Sequence, residues 1–279
     1  MTPPAVTGAR LTEDLRRLGV RPGATVMVHT RMSALGWVIG GSGTVVRALL
    51  DALGPDGTLV AYASWADHVY RDEDRPPEHR AAYAADPPSF DVATGEVDPD
   101  LGRIPERVRT WPGAVRSAHP EASVVAIGPR AAWLCSPHPG DDAYGADSPF
   151  ARLVEAGGEV LMLGAPLDTV TILHHAEAIA RVPDKRLVTY TVLVGGERRT
   201  YTDIDTSRGA FPYESLGLGD DEFAVIAREA LAAGIGARGL VGAGKSVLFG
   251  ARELVEFGVA WMEARFGARP SPPARAERR

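Results

Sequence analysis

Glu159–Val160–Leu161–Met162–Leu163–Gly164–Ala165 is a short, nearly continuous apolar run, and a segment of helical spacing follows it. Such a run reads as a strand buried on both faces, because a half-exposed strand alternates apolar with polar residues. Thr25–Val26–Met27–Val28–His29 and Gly57–Thr58–Leu59–Val60–Ala61–Tyr62 read as two more strands. Strands covered on both faces need a helical layer on each side, which constrains the chain to a layered α/β domain. The expected fold is a three-layer αβα sandwich around a central mixed sheet, with the strand before His174 lying centrally. Arg186–Val194 and Arg198–Asp203 flank Gly195–Gly196 and read as a hairpin that adds an antiparallel portion.

Beyond the first run, Asp168 or Thr169 can cap a helix that continues through Ala180 and stops before Pro183. A strand leading into a helix places the first helical turn at the carboxyl edge of the sheet, where open α/β folds bind ligands. Thr171, His174 and Glu177 stand at i, i+3 and i+6, so His174 can touch both neighbours on one stripe. A carboxylate beside an imidazole fixes its tautomer and leaves the other nitrogen available as a base. The same spacing also fits one packed and one solvated histidine, and the pattern alone does not decide. His175 is turned about 100° from His174 on a helix and reads as structural. A zinc site would need His-x-x-x-His spacing or further ligands, and the single cysteine, Cys135, supplies none. His119 is held extended by Pro120 and is the rival base, but no carboxylate partner is predictable for it.

The chain has 279 residues, 45% of them hydrophobic, with a formal charge of −6. These values describe a globular chain that disfavours nucleic acid and weakly favours a cationic partner. One cysteine suits a reducing compartment, the N-terminus lacks an apolar signal core, and no apolar run approaches a membrane span. A soluble cytoplasmic protein is expected, off the membrane and monomeric or homodimeric. The expected organisation is one domain over residues 1–267, with an acidic insertion at about 64–103 and a flexible tail at 268–279.

Two loops carry further signals. Residues 30–43 hold Ser33, Gly36, Gly40, Gly41, Ser42 and Gly43 between a strand and a helix starting at Thr44, where backbone N–H groups and a helix dipole can hold an anion. A tight connection without a ligand has the same composition. Between Ser64 and Asp100 there are ten carboxylates and five prolines, opposed only by Arg71, Arg75 and Arg80. This reads as a long loop, either a solvated insertion or an acidic rim for a polycation with Trp65 and Tyr70 as stacking faces. Gly239–Leu240–Val241–Gly242–Ala243–Gly244–Lys245–Ser246 matches the phosphate-cradling G-x-x-x-x-G-K-S pattern. A nucleotide hydrolase would need later strands to carry its magnesium-binding aspartate, whereas one helix and a tail follow.

Val28–His29 with Ser33, Gly40–Gly41, Arg116–Ser117–Ala118–His119–Pro120, Tyr144–Gly145 with Asp147–Ser148–Pro149, and Thr171–Glu177 together resemble the aminoglycoside 3-N-acetyltransferase (antibiotic N-acetyltransferase) family. The resemblance runs from about Leu11 to Phe266, and Val241–Gly242 to Ser246 falls on a Val–Gly–x–x–x–Ser segment of that family. Lys245 departs from the neutral residue found there. The resemblance implies transfer of an acetyl group from acetyl-CoA to the 3-amine of a 2-deoxystreptamine aminoglycoside, without metal, conferring resistance. It implies His174 as general base, Glu177 as its orienter and Thr171 as an oxyanion donor. Coenzyme contacts fall on His29, Ser33, Gly40, Gly41, Arg116, Asp147 and Ser148. Drug contacts fall on Trp65, Asp67, His119, Asp203 and Asp205. The alternative is an acyl-CoA-dependent N-acetyltransferase for another natural-product amine; a binding protein that sequesters a cationic drug would leave the Thr–His–Glu stripe unexplained.

Overall fold

The computed structural model describes residues 5–67, 76–218 and 221–267. Tyr70, the acidic cluster at 72–74 and the tail at 268–279 lie outside the described residues.

The chain begins with β1 (Ala5–Val6), α1 (Gly8–Leu18) and β2 (Thr25–Thr30). Thr7 caps α1, its hydroxyl accepting from Arg10 N–H at 3.2 Å. Next come β3 (Trp37–Val38), α2 (Gly41–Leu53) and β4 (Thr58–Tyr62). The acidic insertion supplies α3 (Pro77–Ala85) and β5 (Ser89–Phe90). Then follow α4 (Arg103–Arg109), β6 (Val115–Arg116), β7 (Val124–Ile127), α5 (Ala131–Cys135) and α6 (Pro149–Glu155). β8 (Glu159–Leu163) leads into α7 (Ile172–Ile179) and the hairpin β9 (Leu187–Val194) and β10 (Glu197–Ile204). The chain closes with α8 (Glu222–Ala232), β11 (Ala237–Val241), β12 (Gly244–Gly250) and α9 (Ala251–Phe266).

Seven strands form the main sheet in the order β11-β12-β8-β2-β4-β7-β6. β8, β2 and β4 run parallel, and the strands outside them are antiparallel to their neighbours. β2 holds the middle and β8 lies beside it, one place from the expected position. Alternation along the strands divides the core in two. Val26, Val28, Leu161 and Leu163 pack with α1, α2 and α4, while Met27, Val60, Val160 and Met162 pack with α5 to α9. Each such side chain contributes about 1.5–3 kcal/mol by leaving water, which is why both helical layers are held. The three-layer α/β class is therefore the one observed.

Two expectations change in detail. The β9–β10 hairpin does not join the main sheet; it forms a separate three-stranded sheet with β5. Its inner face carries Tyr190, Val192 and Tyr201, which pack with Trp65 and Phe90 in a small core of their own, while threonine pairs face outward. The insertion is thus partly a packed unit and not only a loop. Gly239–Ser246 is the β11–β12 turn: Gly239 pairs with Ser246 and Leu240 with Lys245 across the ladder. Gly242 there has φ +60°, and its N–H donates to Asp14 at 3.0 Å, so the segment is no phosphate cradle.

Candidate active site

The carboxyl ends of the three parallel strands open into one cleft of about 580 Å³. β2 contributes His29 and Thr30, β4 contributes Tyr62, and the chain after β8 contributes Ala165 and Pro166. This is the edge at which open α/β sheets bind ligands. The chain leaves β8 through a 3-10 turn, Leu167–Thr169, and enters α7 at Thr171. Thr171 stands at the cap position in helical geometry, so its hydroxyl cannot cap and instead faces the Thr169 carbonyl at 3.4 Å. Neither Asp168 nor Thr169 caps the helix as expected, because the 3-10 turn uses them. Ala180 turns extended and ends α7 one residue before the expected end.

That entry puts Thr171 and His174 on the cleft wall and turns Glu177 inward. His174 Nδ1 lies 2.7 Å from Glu177 Oε2; the imidazole side chain is 18% exposed and the carboxylate side chain 0%. An ionised carboxylate only accepts, so Nδ1 carries the hydrogen and Nε2 keeps its lone pair on the cleft side. The second Glu177 oxygen accepts from Tyr213 O–H at 2.8 Å and Ala210 N–H at 3.2 Å. Burial, then the Glu177 charge, pushes the Tyr213 phenol upward, which keeps it a donor. The His174 ring lies between Tyr144 at 5.1 Å and Phe223 at 4.6 Å. His175 faces away from the cleft and bonds the Tyr144 carbonyl at 2.6 Å, and burial lowers its pKa.

Among the other expected residues, His29 and Ser33 line the same cleft. His29 is partly buried as a residue and its Nε2 is enclosed, and that burial lowers its pKa to about 4. His29 Nε2 and Thr30 Oγ1 have no hydrogen-bond partner among the described residues. Gly40 and Gly41 begin α2 with φ of +79° and +63°, outside the cleft wall. Ser148 caps α6, accepting from Ala151 N–H and donating to the Gly145 carbonyl; the Asp147 carbonyl accepts from Arg152. Arg116 is a buried strut to Ser123, Gly95 and the Ala63 carbonyl, and burial lowers its pKa to about 10.

The expected drug contacts are scattered. Trp65 is buried against Phe90, with ring centroids 5.5 Å apart. Asp67 sits at the edge of the described insertion, its carbonyl accepting from Tyr83 O–H at 3.3 Å. Asp205 accepts from Ser207 N–H, Ser207 O–H and Arg208 N–H, and so shapes the turn ahead of Ala210. His119 is fully enclosed: Nδ1 accepts from Ala122 N–H at 2.9 Å, and Nε2 faces Gly140 O at 3.3 Å and Asp203 at 3.6 Å. Asp203 also accepts from Tyr190 O–H and Ala143 N–H. Burial raises the Asp203 pKa, but the His119, Ala143 and Tyr190 contacts outweigh it and leave the value lowered.

Several residues of the site carry no sequence signal. Tyr213 and Ala210 lie 36 and 33 positions from Glu177, and only the fold joins them. Arg31 and Arg103 line the cleft. A neighbouring groove of about 640 Å³ shares Gly102 and Arg103 with it and reaches Ser42 and Arg107 at the start of α2.

A base held by a buried carboxylate, at the head of a cleft lined by Arg31 and Arg103 as well as Asp100 and Asp168, is the arrangement of a group-transfer enzyme. The family profile for aminoglycoside 3-N-acetyltransferase matches residues 27–263. The aminoglycoside N(3)-acetyltransferase VIII of Streptomyces fradiae is 54% identical over 268 residues, covering 94% of this chain and 93% of that protein. The crystal structure of the aminoglycoside acetyltransferase AAC(3)-Xa superposes with a TM-score of 0.88 at 52% identity, covering 94% of both chains. AAC-IIIb in a binary complex with CoASH has a TM-score of 0.86 at 43% identity, covering 96% of this chain and all of the other. The chain belongs to the aminoglycoside 3-N-acetyltransferase family, and with it to the transferases.

Proposed function

We propose that this chain moves an acetyl group from acetyl-CoA to the 3-amine of a 2-deoxystreptamine aminoglycoside, with His174 as the base, and so confers resistance. The observation that carries the assignment is the His174–Glu177 pair, whose free nitrogen fronts the cleft. An amine of such a drug arrives largely as ammonium and becomes nucleophilic only when a base removes its proton. Nε2 of His174 is the atom that takes it, and Glu177 compensates the positive charge that the ring acquires. His119 lacks this freedom, since both of its nitrogens face protein groups in a sealed position.

Acetyl-CoA, when bound, supplies an activated thioester carbonyl. The cleft suits its polar arm, because His29, Thr30 and Ser33 line its wall. Its phosphates fit the continuation past Gly102, where Arg103, Arg107 and the α2 N-terminus meet. Thr171 and Ser33 line the intervening wall and are the hydroxyls available to it.

A second groove, of about 670 Å³, suits the polycation. Asp141, Asp142 and Asp203 face it against Lys185, and Tyr144, which touches His174, forms its wall. Among the described residues no helix is long and apolar enough to cross a membrane, and no cluster that could hold a metal ion occurs. We place the enzyme in the cytoplasm, where acetyl-CoA is made. The test is release of free thiol from acetyl-CoA with 2-deoxystreptamine drugs as acceptors. Turnover is expected, with the product acetylated on the 3-amine; thiol release that does not depend on any such drug would redirect the assignment to another amine.

A further inference from the structure

Glu177 receives three donors, and one of them comes from a residue with no part in the chemistry described so far. His174 Nδ1–H occupies Oε2, while Tyr213 O–H and Ala210 N–H occupy Oε1. The carboxylate is sealed from water, so nothing else can replace a lost donor. Rotation about its last bond would break the Tyr213 contact. Holding Oε1 therefore fixes the direction from which Oε2 meets the imidazole.

We propose that Tyr213 is a positioning residue for acetyl transfer: its phenol, with the Ala210 N–H, locks Glu177 so that His174 keeps its hydrogen on Nδ1. This rests on the reading of His174 as the base. The surroundings of Tyr213 are built for a fixed hydroxyl. Its ring is 2% exposed and is boxed by Phe211, Trp261 and Phe266. Gly209 has φ +74°, and a Cβ there would lie 2.6 Å from the Tyr213 ring, so the turn admits glycine alone without displacing it. The Asp205 turn and the bond from Arg186 N–H to the Ala210 carbonyl at 2.9 Å hold the same loop from its other side. A ring needed only for packing would be replaced by phenylalanine without consequence, and this sets the test.

In the full-length enzyme, Tyr213→Phe keeps the packing and removes the hydroxyl. The expected result is a kcat lowered about tenfold, the size typical for a residue acting through a catalytic group, with KM for both substrates unchanged. The downfield proton resonance of His174 Nδ1–H should move further downfield, because Glu177 then bonds the imidazole more strongly. Replacing Tyr213 by 3-fluorotyrosine, a stronger donor in the same shape, should move it the opposite way, and this arm stands even if Tyr213→Phe does not fold. A folded Tyr213→Phe enzyme with native kcat overturns the proposal. So does a lowered kcat with an unmoved resonance, which would assign the loss to folding, and so does an unmoved resonance in the fluorinated protein. Retained turnover in His174→Ala would instead overturn the choice of base, and the resonance experiment is read independently of that outcome.

Discussion

Among the described residues two histidine–carboxylate pairs stand in contrast, and only in one of them does the histidine line a cleft. His174 and Glu177 are three residues apart on one helix, in contact at 2.7 Å, with the imidazole at the cleft wall. His119 and Asp203, the latter on β10, come from distant segments and stand 3.6 Å apart, with the imidazole fully enclosed. In the first pair the carboxylate uses one nitrogen and leaves the other for a substrate. In the second the protein uses both nitrogens, so the pair ties the hairpin to the segment before β7. Beside it, His138 donates from Nε2 to the Ala143 carbonyl and receives Ser117 O–H on Nδ1, both at 2.9 Å. A histidine next to a carboxylate is therefore a base only where its second nitrogen has somewhere to go.

The largest expected effect falls on His174→Ala, which should lower turnover about 10²–10⁴-fold while acetyl-CoA binding survives. Steady-state thiol release together with calorimetric titration of the coenzyme checks both halves. Native turnover in His174→Ala, with a dead His119→Ala, would reverse the comparison.

Glu177→Gln should fall less, about 10–10²-fold, because the imidazole remains and only its orientation suffers. The matching change in the other pair, Asp203→Asn, should leave kcat of the folded enzyme far closer to native. Equal losses in kcat would show that the two pairs do not divide between chemistry and architecture.

His119→Ala should act on stability. It leaves the Ala122 N–H buried without its acceptor, which costs about 1–3 kcal/mol, and adds a cavity term. The urea midpoint should drop accordingly, while the folded fraction still turns over.

The smallest effect is the pH dependence of that stability. Burial lowers His29 to about 4 and His138 to about 3, both from an ordinary 6.5. The unfolded chain then takes up protons before the folded one does. Their contribution is whole above 6.5 and is lost progressively as pH falls from 6.5 towards 3. Asp203, whose pKa is lowered, adds its own loss at lower pH, as acid reaches its folded pKa. His138→Asn should flatten the upper part of this slope in urea titrations at successive pH values, and an unchanged slope would remove His138 from the sealed cluster.

The sequence by itself determined whatever depends on neighbours along the chain. Extended backbone sends successive side chains to opposite faces, so the unbroken apolar runs Val26–Met27–Val28 and Val160–Leu161–Met162 marked strands covered on both sides before any fold was known. The i, i+3 spacing of His174 and Glu177 is likewise a property of one helical turn, and their contact follows from it. Tertiary structure alone decided which polar groups are free. Arg116, Ser148, Asp203 and Asp205 look in sequence like ligands for anions or cations, yet each is engaged by protein groups that pattern reading does not bring together. Gly239–Ser246 has the letters of a phosphate loop and the ladder of a hairpin. Tyr213 reaches Glu177 only because β9, β10 and the Asp205 turn bring the chain back across 36 residues. Backbone geometry is set over a few residues, but a charge finds its partner, and an imidazole its access to solvent, only where distant segments pack.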